Sequence, residues 1–96
     1  MGAAIVGVAV TPFDKWPQRT LIDLAEEALS GVMSDAAIAD GTGIDMVHFA
    51  NCAMGAWGQN NIRGQVCLAP SLRRGVLAPY TPIINVEAGC ATGSAA

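Results

Sequence analysis

Cys90 combines a reactive residue type with a position suited to chemistry in this 96-residue sequence. It lies in Ile84–Ala96 (INVEAGCATGSAA), after an apolar run typical of a buried strand and at the expected start of a helix. Unpaired N–H groups and the dipole at a helix start stabilise an anion, so we expect a lowered thiol pKa. The same N–H groups can contribute to an oxyanion hole. Gly89 permits a sharp turn, and the small residues that follow predict a dry, tightly held site.

The alternative for Cys90 is a small buried hydrophobe, which is the usual role of a free cysteine. Cys52 and Cys67 have no motif and are interpreted as packing residues, and His48 as a hydrogen-bonded histidine in a core or an interface. Three cysteines without a Cys-x-x-Cys pair argue against a disulfide framework or a zinc site. Free thiols in a reducing cytoplasm are therefore expected, with no metal site.

Three apolar runs are predicted to be strands: residues 4–10, 44–50 and 81–87. Their apolar character on both faces is typical of a parallel sheet covered by helices. With the intervening helices the order is β-α-β-α-β, which implies right-handed crossovers between parallel strands.

The predicted helices lie between these strands. The first begins after the N-cap Thr20, with Asp23 completing a capping box, and runs to near Ala39. A short helix is expected around 62–68, ended by Pro70 and the turn at 73–75. A last helix is expected to begin at 91.

The composition limits the function classes. Of the residues 52% are apolar and only 14% charged, against about a quarter in a typical domain. A net charge of −3 without a basic patch argues against a nucleic-acid partner. No run is long enough to cross a bilayer, and the first residues lack a signal-peptide leader. Because too few helices are available to cover the strands, we expect an N-terminal piece of a larger α/β protein.

The segment VEAGCATGSAA resembles the nucleophile motif of the thiolase superfamily, in which a cysteine ends a strand and opens a buried central helix. The opening AIVGVAVTPF with its long helix, the segment IDMVHFANCAMG, and a helix introduced by Gly58-Gln59 and reaching Arg63 are similar to the same fold. The resemblance covers essentially the whole chain and favours the SCP-2-type branch. It implies an α/β, thiolase-like layered sheet, with residues 1–96 as the N-terminal part of the thiolase N-terminal domain.

The resemblance also implies an acyltransferase of lipid metabolism, located in the cytoplasm. Cys90 would attack an acyl-CoA or 3-ketoacyl-CoA thioester and hold the acyl group, in thiolytic cleavage or Claisen condensation. CoA thioester is then the substrate, and no tightly bound cofactor is implied. The implied partners are a second copy in a homodimer, the remainder of the thiolase chain and a small OB-fold, zinc-ribbon protein. The family's activating histidine and second acid/base lie in its C-terminal half, so residues 1–96 alone are expected to be inactive.

Two other functions stay open. One is a condensing synthase or retro-aldolase of the same fold. The other is a binding or assembly subunit that has kept the SCP-2-thiolase fold and lost the chemistry.

Several residues outside the motif also have two interpretations. The loop 51–60 either borders the active site or forms a mobile or subunit-contact loop, and its Trp57 makes a dimer contact or packs within the loop. Three arginines could bind CoA phosphates, although solvated surface charges are favoured; they are Arg63, Arg73 and Arg74. Glu87, if buried, needs a partner.

Overall fold

Helices and strands alternate along the chain in a small α/β arrangement. The structure is a computed structural model that describes residues 2–96. Within that range the elements are α1 (Leu21–Asp35), β1 (Val47–Ala50), α2 (Arg63–Arg73), β2 (Ile83–Val86) and α3 (Thr92–Ala95). Short 3-10 turns occur at Gly41–Gly43, Met54–Trp57 and Gly89–Ala91.

The capping box predicted for α1 is confirmed. The Thr20 hydroxyl accepts a hydrogen bond from the Asp23 N–H at 3.1 Å, and the Asp23 carboxylate accepts one from the Thr20 N–H at 2.8 Å. These two bonds satisfy N–H groups that a helix start leaves without partners. The hydrogen bond from the Thr20 backbone is the largest cause lowering the pKa of Asp23.

The end of α1 lies four residues before the predicted Ala39. The helix stops at Asp35 because Ala37 adopts a left-handed conformation, with φ 56°. The Ile38 N–H then donates to the Met33 carbonyl at 2.9 Å, and the Ala37 N–H to the Ser34 carbonyl at 3.1 Å. This pattern is a Schellman motif, which is most often built on glycine, so an alanine gives no sequence signal for it.

The helix α2 is longer than predicted and contains Pro70 in its interior, so the expectation that Pro70 helps to end it is wrong. Proline leaves the carbonyl four residues earlier without its helical N–H partner, which costs about 3 kcal/mol. The buried face of α2 favours continuing the helix, since Cys67, Leu68 and Ser71 on both sides of Pro70 are buried. The helix ends at Arg73, and two residues later Gly75 adopts a left-handed conformation with a φ of 74°.

The two strands form a parallel sheet, as predicted, although both are shorter than the apolar runs that contain them. Val47 is paired with Ile83 and Ala50 with Val86. Beyond the ladder, the Asn51 N–H donates to the Val86 carbonyl at 3.3 Å. The carboxyl ends of β1 and β2 therefore lie side by side.

The prediction of a first strand at residues 4–10 is wrong, so the observed order is α-β-α-β-α. This segment lies against the C-terminal half of α1, where the Val8 N–H donates to the Asp35 carboxylate at 2.8 Å. Its side chains are largely exposed, with Ile5 at 88% and Val10 at 78%. The apolar run predicts burial in a sheet, but within residues 2–96 the sheet consists of β1 and β2 and does not include this segment.

The core lies around α2, which contacts α1 and both strands. Gly64 allows the close approach of the helix to the sheet, since a Cβ there would lie 2.6 Å from Ile83 Cγ2 and 2.7 Å from Phe49 Cβ. On the strands, His48, Ala50 and Ile84 are exposed. The solvent-accessible surface is 6511 Å², more than the roughly 5,200 Å² expected for a compact protein of this mass. Large hydrophobic side chains are part of this exposed surface, among them Phe13 at 95% and Tyr80 at 77%.

Candidate functional site

The carboxyl edge of the sheet brings two of the predicted segments together. The loop after β1 begins with Asn51, and the segment after β2 leads from Glu87 to Cys90. Because the strands are parallel and Ala50 pairs with Val86, both segments leave the sheet at the same edge. This is where parallel sheets bind ligands, and it is the placement expected for Cys90.

Cys90 lies in the middle of the 3-10 turn Gly89–Ala91. Gly89 has a φ of 56°, a conformation that glycine adopts without steric cost. The Ala91 N–H donates to the Ala88 carbonyl at 3.0 Å and closes the turn. The sharp turn predicted at Gly89 is therefore confirmed.

The Thr92 side chain is hydrogen-bonded to the backbone of this turn. This residue was not identified from the sequence. Its Oγ1 accepts a hydrogen bond from the Ala88 N–H at 3.0 Å and donates one to the Gly89 carbonyl at 2.6 Å. The residue is only 6% exposed. A threonine two positions after a candidate nucleophile was the available signal, since serine and threonine hydroxyls often bond to nearby backbone groups.

Glu87 is exposed, and its partner is a backbone group. Its carboxylate accepts a hydrogen bond from the Gly89 N–H at 2.5 Å. This bond engages an amide that, at a turn before a nucleophile, would otherwise be free to stabilise an oxyanion. Cys90 thus lies in a turn whose first amide, that of Gly89, is already bound to a negative charge.

The expectation of a dry, enclosed site is wrong for the described residues. Cys90 is exposed, and α3 is a single turn of four residues in which Thr92 is the buried one. The small residues Gly93 to Ala96 do permit close packing, but they are exposed and no neighbouring layer within residues 2–96 covers them. The alternative of a buried, hydrophobic Cys90 is equally wrong.

The remaining predicted side chains have different surroundings. Cys67 is 1% exposed, which confirms it as a packing residue, and burial raises the pKa of its thiol. Cys52 is exposed, so the same interpretation is wrong for Cys52. His48 is hydrogen-bonded, with Nδ1 2.8 Å from the Ala96 carbonyl oxygen, but it is exposed rather than in the core.

The loop 51–60 is bonded to β2 at its first residue, where the Asn51 N–H donates to the Val86 carbonyl at 3.3 Å, and further bonds lie within the loop. The Asn51 side-chain oxygen accepts hydrogen bonds at 2.8 Å from the N–H groups of Ala53 and Met54, and Met54 is 2% exposed. These contacts order the start of the loop beside the sheet edge, and both an active-site border and a subunit contact stay open for it. Trp57 is 70% exposed and borders a cavity of about 450 Å³ together with Met54.

The arginines do not form a group at this edge. Arg63 is half-buried, and its Nη1 donates to the Asn51 carbonyl at 2.5 Å, while its Nε is buried and has no partner among the described residues. Arg74 forms an ion pair with Glu26 at 3.2 Å, and Arg73 is exposed. The surface interpretation holds for Arg73 and Arg74, and Arg63 instead ties the loop to α2.

Asn85 is a second residue that the sequence interpretation missed. It is a polar residue in an apolar strand, which was its signal. Its Oδ1 accepts from the Gly64 N–H at 2.6 Å, and its Nδ2 donates to Gln65 at 2.7 Å. It thereby joins β2 to the start of α2, beside a cavity of about 260 Å³ that Glu87 also borders.

Comparisons with known proteins do not assign the chain to a family. No protein-family model matches it. A search of curated proteins also found no match. Within residues 2–96, no cluster of three or more His, Cys, Asp or Glu side chains is arranged to hold a metal ion. In the same range, the helices are too short or too polar to cross a membrane.

Proposed function

We propose that Cys90 is the acyl-accepting nucleophile of a CoA-dependent acyltransferase of the thiolase type. The proposal rests on one observation: an exposed thiol stands on a hydrogen-bonded turn directly after a parallel strand, at the carboxyl edge of the sheet. A nucleophile needs both access to its substrate and a fixed position, and this turn offers both. The resemblance of VEAGCATGSAA to the thiolase nucleophile motif supplies the reaction class.

The proposed reaction forms one bond and breaks one bond in each half. In condensation, a base takes the Cys90 proton, the sulfur attacks the thioester carbon of an acyl-CoA, the carbon–sulfur bond to CoA breaks, and the CoA thiolate takes the proton from the base. In thiolytic cleavage, the sulfur attacks the 3-keto carbon of a 3-ketoacyl-CoA, the carbon–carbon bond breaks, and the shortened acyl-CoA leaves as an enolate that takes this proton. A second nucleophile, CoA or an enolate, then takes the acyl group and releases the Cys90 thiolate. A covalent intermediate of this kind divides one difficult acyl transfer into two easier steps.

The base that receives the Cys90 proton is proposed to belong to polypeptide outside residues 2–96. Glu87 is the carboxylate nearest to Cys90 in sequence, but it is bound to the Gly89 N–H. The surface area above that of a compact domain and the exposed side chains at 4–10 support a larger assembly. We propose that this assembly is a cytoplasmic homodimer of the longer chain, with a small OB-fold, zinc-ribbon protein as a further partner.

A second candidate is a binding or assembly subunit without catalysis. The bond between Glu87 and the Gly89 N–H favours it, because that amide is then not available to an oxyanion. The two functions differ in one observable, which is the transfer of an acyl group to Cys90.

The test is acyl transfer from radiolabelled acetyl-CoA to the full-length protein in its native assembly. We expect stoichiometric label on the peptide that contains Cys90, and no label after Cys90→Ser. The matched control is Cys52→Ser, which removes the other exposed thiol and should leave the label in place. Label that persists in Cys90→Ser would contradict the proposal, and a protein that takes no label would favour the assembly subunit.

A further inference from the structure

The side chain of Thr92 bridges two backbone groups that flank the turn of Cys90. Its Oγ1 accepts from the Ala88 N–H at 3.0 Å and donates to the Gly89 carbonyl at 2.6 Å. Both distances are those of good hydrogen bonds, and the hydroxyl uses its one donor and one of its two acceptor sites. Because Thr92 is 6% exposed, water competes little for these bonds.

The second of these bonds bears directly on Cys90. The Gly89 carbonyl and the Cys90 N–H belong to the same planar peptide group, so holding the carbonyl oxygen also fixes the direction of the Cys90 N–H. The Thr92 backbone N–H also donates to the Gly89 carbonyl. The hydroxyl therefore adds a second bond to a peptide plane whose glycine, having no Cβ, tolerates many backbone conformations. The Glu87 carboxylate holds the peptide group before it, at the Gly89 N–H.

We propose that Thr92 is a positioning residue for Cys90, holding the Gly89–Cys90 peptide plane so that the sulfur meets the thioester carbon in one orientation. This inference rests on the proposed acyl transfer to Cys90. Thr92 does not touch the substrate and acts through the backbone. Its loss should therefore lower the rate of acyl transfer while leaving the thiol present and accessible.

The experiment compares Thr92→Val and Thr92→Ser with the unmodified full-length protein. Valine has nearly the same shape but no hydroxyl, so both hydrogen bonds are lost, whereas serine keeps the hydroxyl. Amide hydrogen exchange at Ala88 reports the bridge itself, and we expect it to become about tenfold faster in Thr92→Val, the size of effect expected for one hydrogen bond. Acyl transfer from acetyl-CoA to Cys90 should fall about 10- to 100-fold, as expected for a misplaced reacting group. Thr92→Ser should retain most of both properties.

The matched control is Thr81→Val. Thr81 is 7% exposed, similar to Thr92, but its Oγ1 is buried and has no hydrogen-bond partner among the described residues. Removing that hydroxyl should leave Ala88 exchange and acyl transfer unchanged. A general effect of replacing a buried threonine by valine would appear in this control as well.

Each outcome decides the inference. Faster Ala88 exchange with slow transfer in Thr92→Val, restored in Thr92→Ser, supports it. Unchanged transfer in Thr92→Val overturns it and leaves the proposed function standing. If the unmodified protein takes no acyl group at Cys90, the proposed function fails and the inference fails with it. If Thr92→Val does not fold, Thr92→Ser decides: Ala88 protection and acyl transfer that match those of the unmodified protein support the inference, and an Ala88 amide that exchanges freely in both proteins overturns it.

Discussion

Within residues 2–96, two non-glycine residues adopt backbone conformations that their side chains disfavour. Ala37 has a φ of 56°, and Ile62, a β-branched residue, has a φ of 43° at the start of α2. The left-handed region costs a non-glycine residue about 1–2 kcal/mol. Ala37 follows α1 and Ile62 precedes α2, where the chain must change direction. The strain is therefore caused by the path of the connecting segments.

At Ala37, the structure predicts that glycine is the better residue. Ala37→Gly should raise the free energy of unfolding by about 1 kcal/mol, because the left-handed strain disappears while the flexibility of glycine offsets part of the gain. The measurement is a urea unfolding curve. The matched control is Ala36→Gly, at a right-handed position with φ −78°, which should lower stability. Equal effects at the two positions would argue against the strain.

The cap of α1 predicts an effect of pH. Hydrogen bonding to Thr20 lowers the pKa of Asp23 in the folded protein below its ordinary value of 3.8. A lowered folded pKa contributes stability that is present above the unfolded pKa and is lost as the pH falls through the folded pKa. The melting temperature should therefore decrease as the pH drops below about 4, and this decrease should be less steep in Asp23→Asn. Parallel melting curves for the two proteins between pH 5 and pH 2 would contradict this role.

At the scale of elements, α2 organises the structure by contacting α1 and both strands. Its contact with the sheet depends on Gly64, where helix and strands approach more closely than a side chain allows. Its start is tied to β2 by the bond from the Gly64 N–H to Asn85. Packing of this kind explains why the helix continues through Pro70 when local preference alone favours a stop there.

Gly64→Ala tests this contact. The added Cβ would lie 2.6 Å from Ile83 Cγ2 and 2.7 Å from Phe49 Cβ, so helix and sheet must separate. We expect a loss of about 1–3 kcal/mol in the free energy of unfolding, the usual cost of overpacking. Gly43→Ala is the control, since a Cβ there meets nothing within 4 Å. A neutral Gly64→Ala would show that the sheet is further from α2 than described.

The elements that could be predicted are those whose residue types give a signal in the sequence itself, a cap pattern for α1 and apolar runs for the strands. Thr20 and Asp23 form the predicted capping box, and the two apolar runs before Asn51 and Glu87 form the parallel strands. The end of α1 at Asp35 could not be predicted, because it depends on a left-handed conformation at Ala37 that alanine rarely adopts. The exposure of Cys90 could not be predicted either, because it depends on which layers cover the turn and not on the turn itself.

At the scale of the whole molecule, many large apolar side chains are not covered by the helices and remain exposed to solvent. Ile5, Val6, Val8, Val10 and Phe13 are 66–95% exposed, all within the segment that precedes α1. All of them except Phe13 lie in the run 4–10 that was predicted to be a buried strand. The observed and the predicted arrangements therefore differ in whether this segment is exposed or buried in the native assembly.

Substitutions in the segment measure that property. If the segment is exposed as observed, Ile5→Ser and Val10→Ser should each change the free energy of unfolding by less than about 0.5 kcal/mol. Leu77→Ala, at a position with 0% exposure, should cost about 2–5 kcal/mol and calibrates the measurement. A cost of several kcal/mol for Ile5→Ser in the full-length assembly would show that other polypeptide covers the segment there.

The hydrogen bonds of the Cys90 turn all run between residues close in sequence, from Glu87 to Thr92. The backbone conformation of such a turn is determined by its own hydrogen bonds more than by contacts with the rest of the protein. Residues 87–92 should accordingly behave as a portable module: grafted after the last residue of a parallel strand in an unrelated scaffold, they should present the cysteine at the same angle to the new sheet.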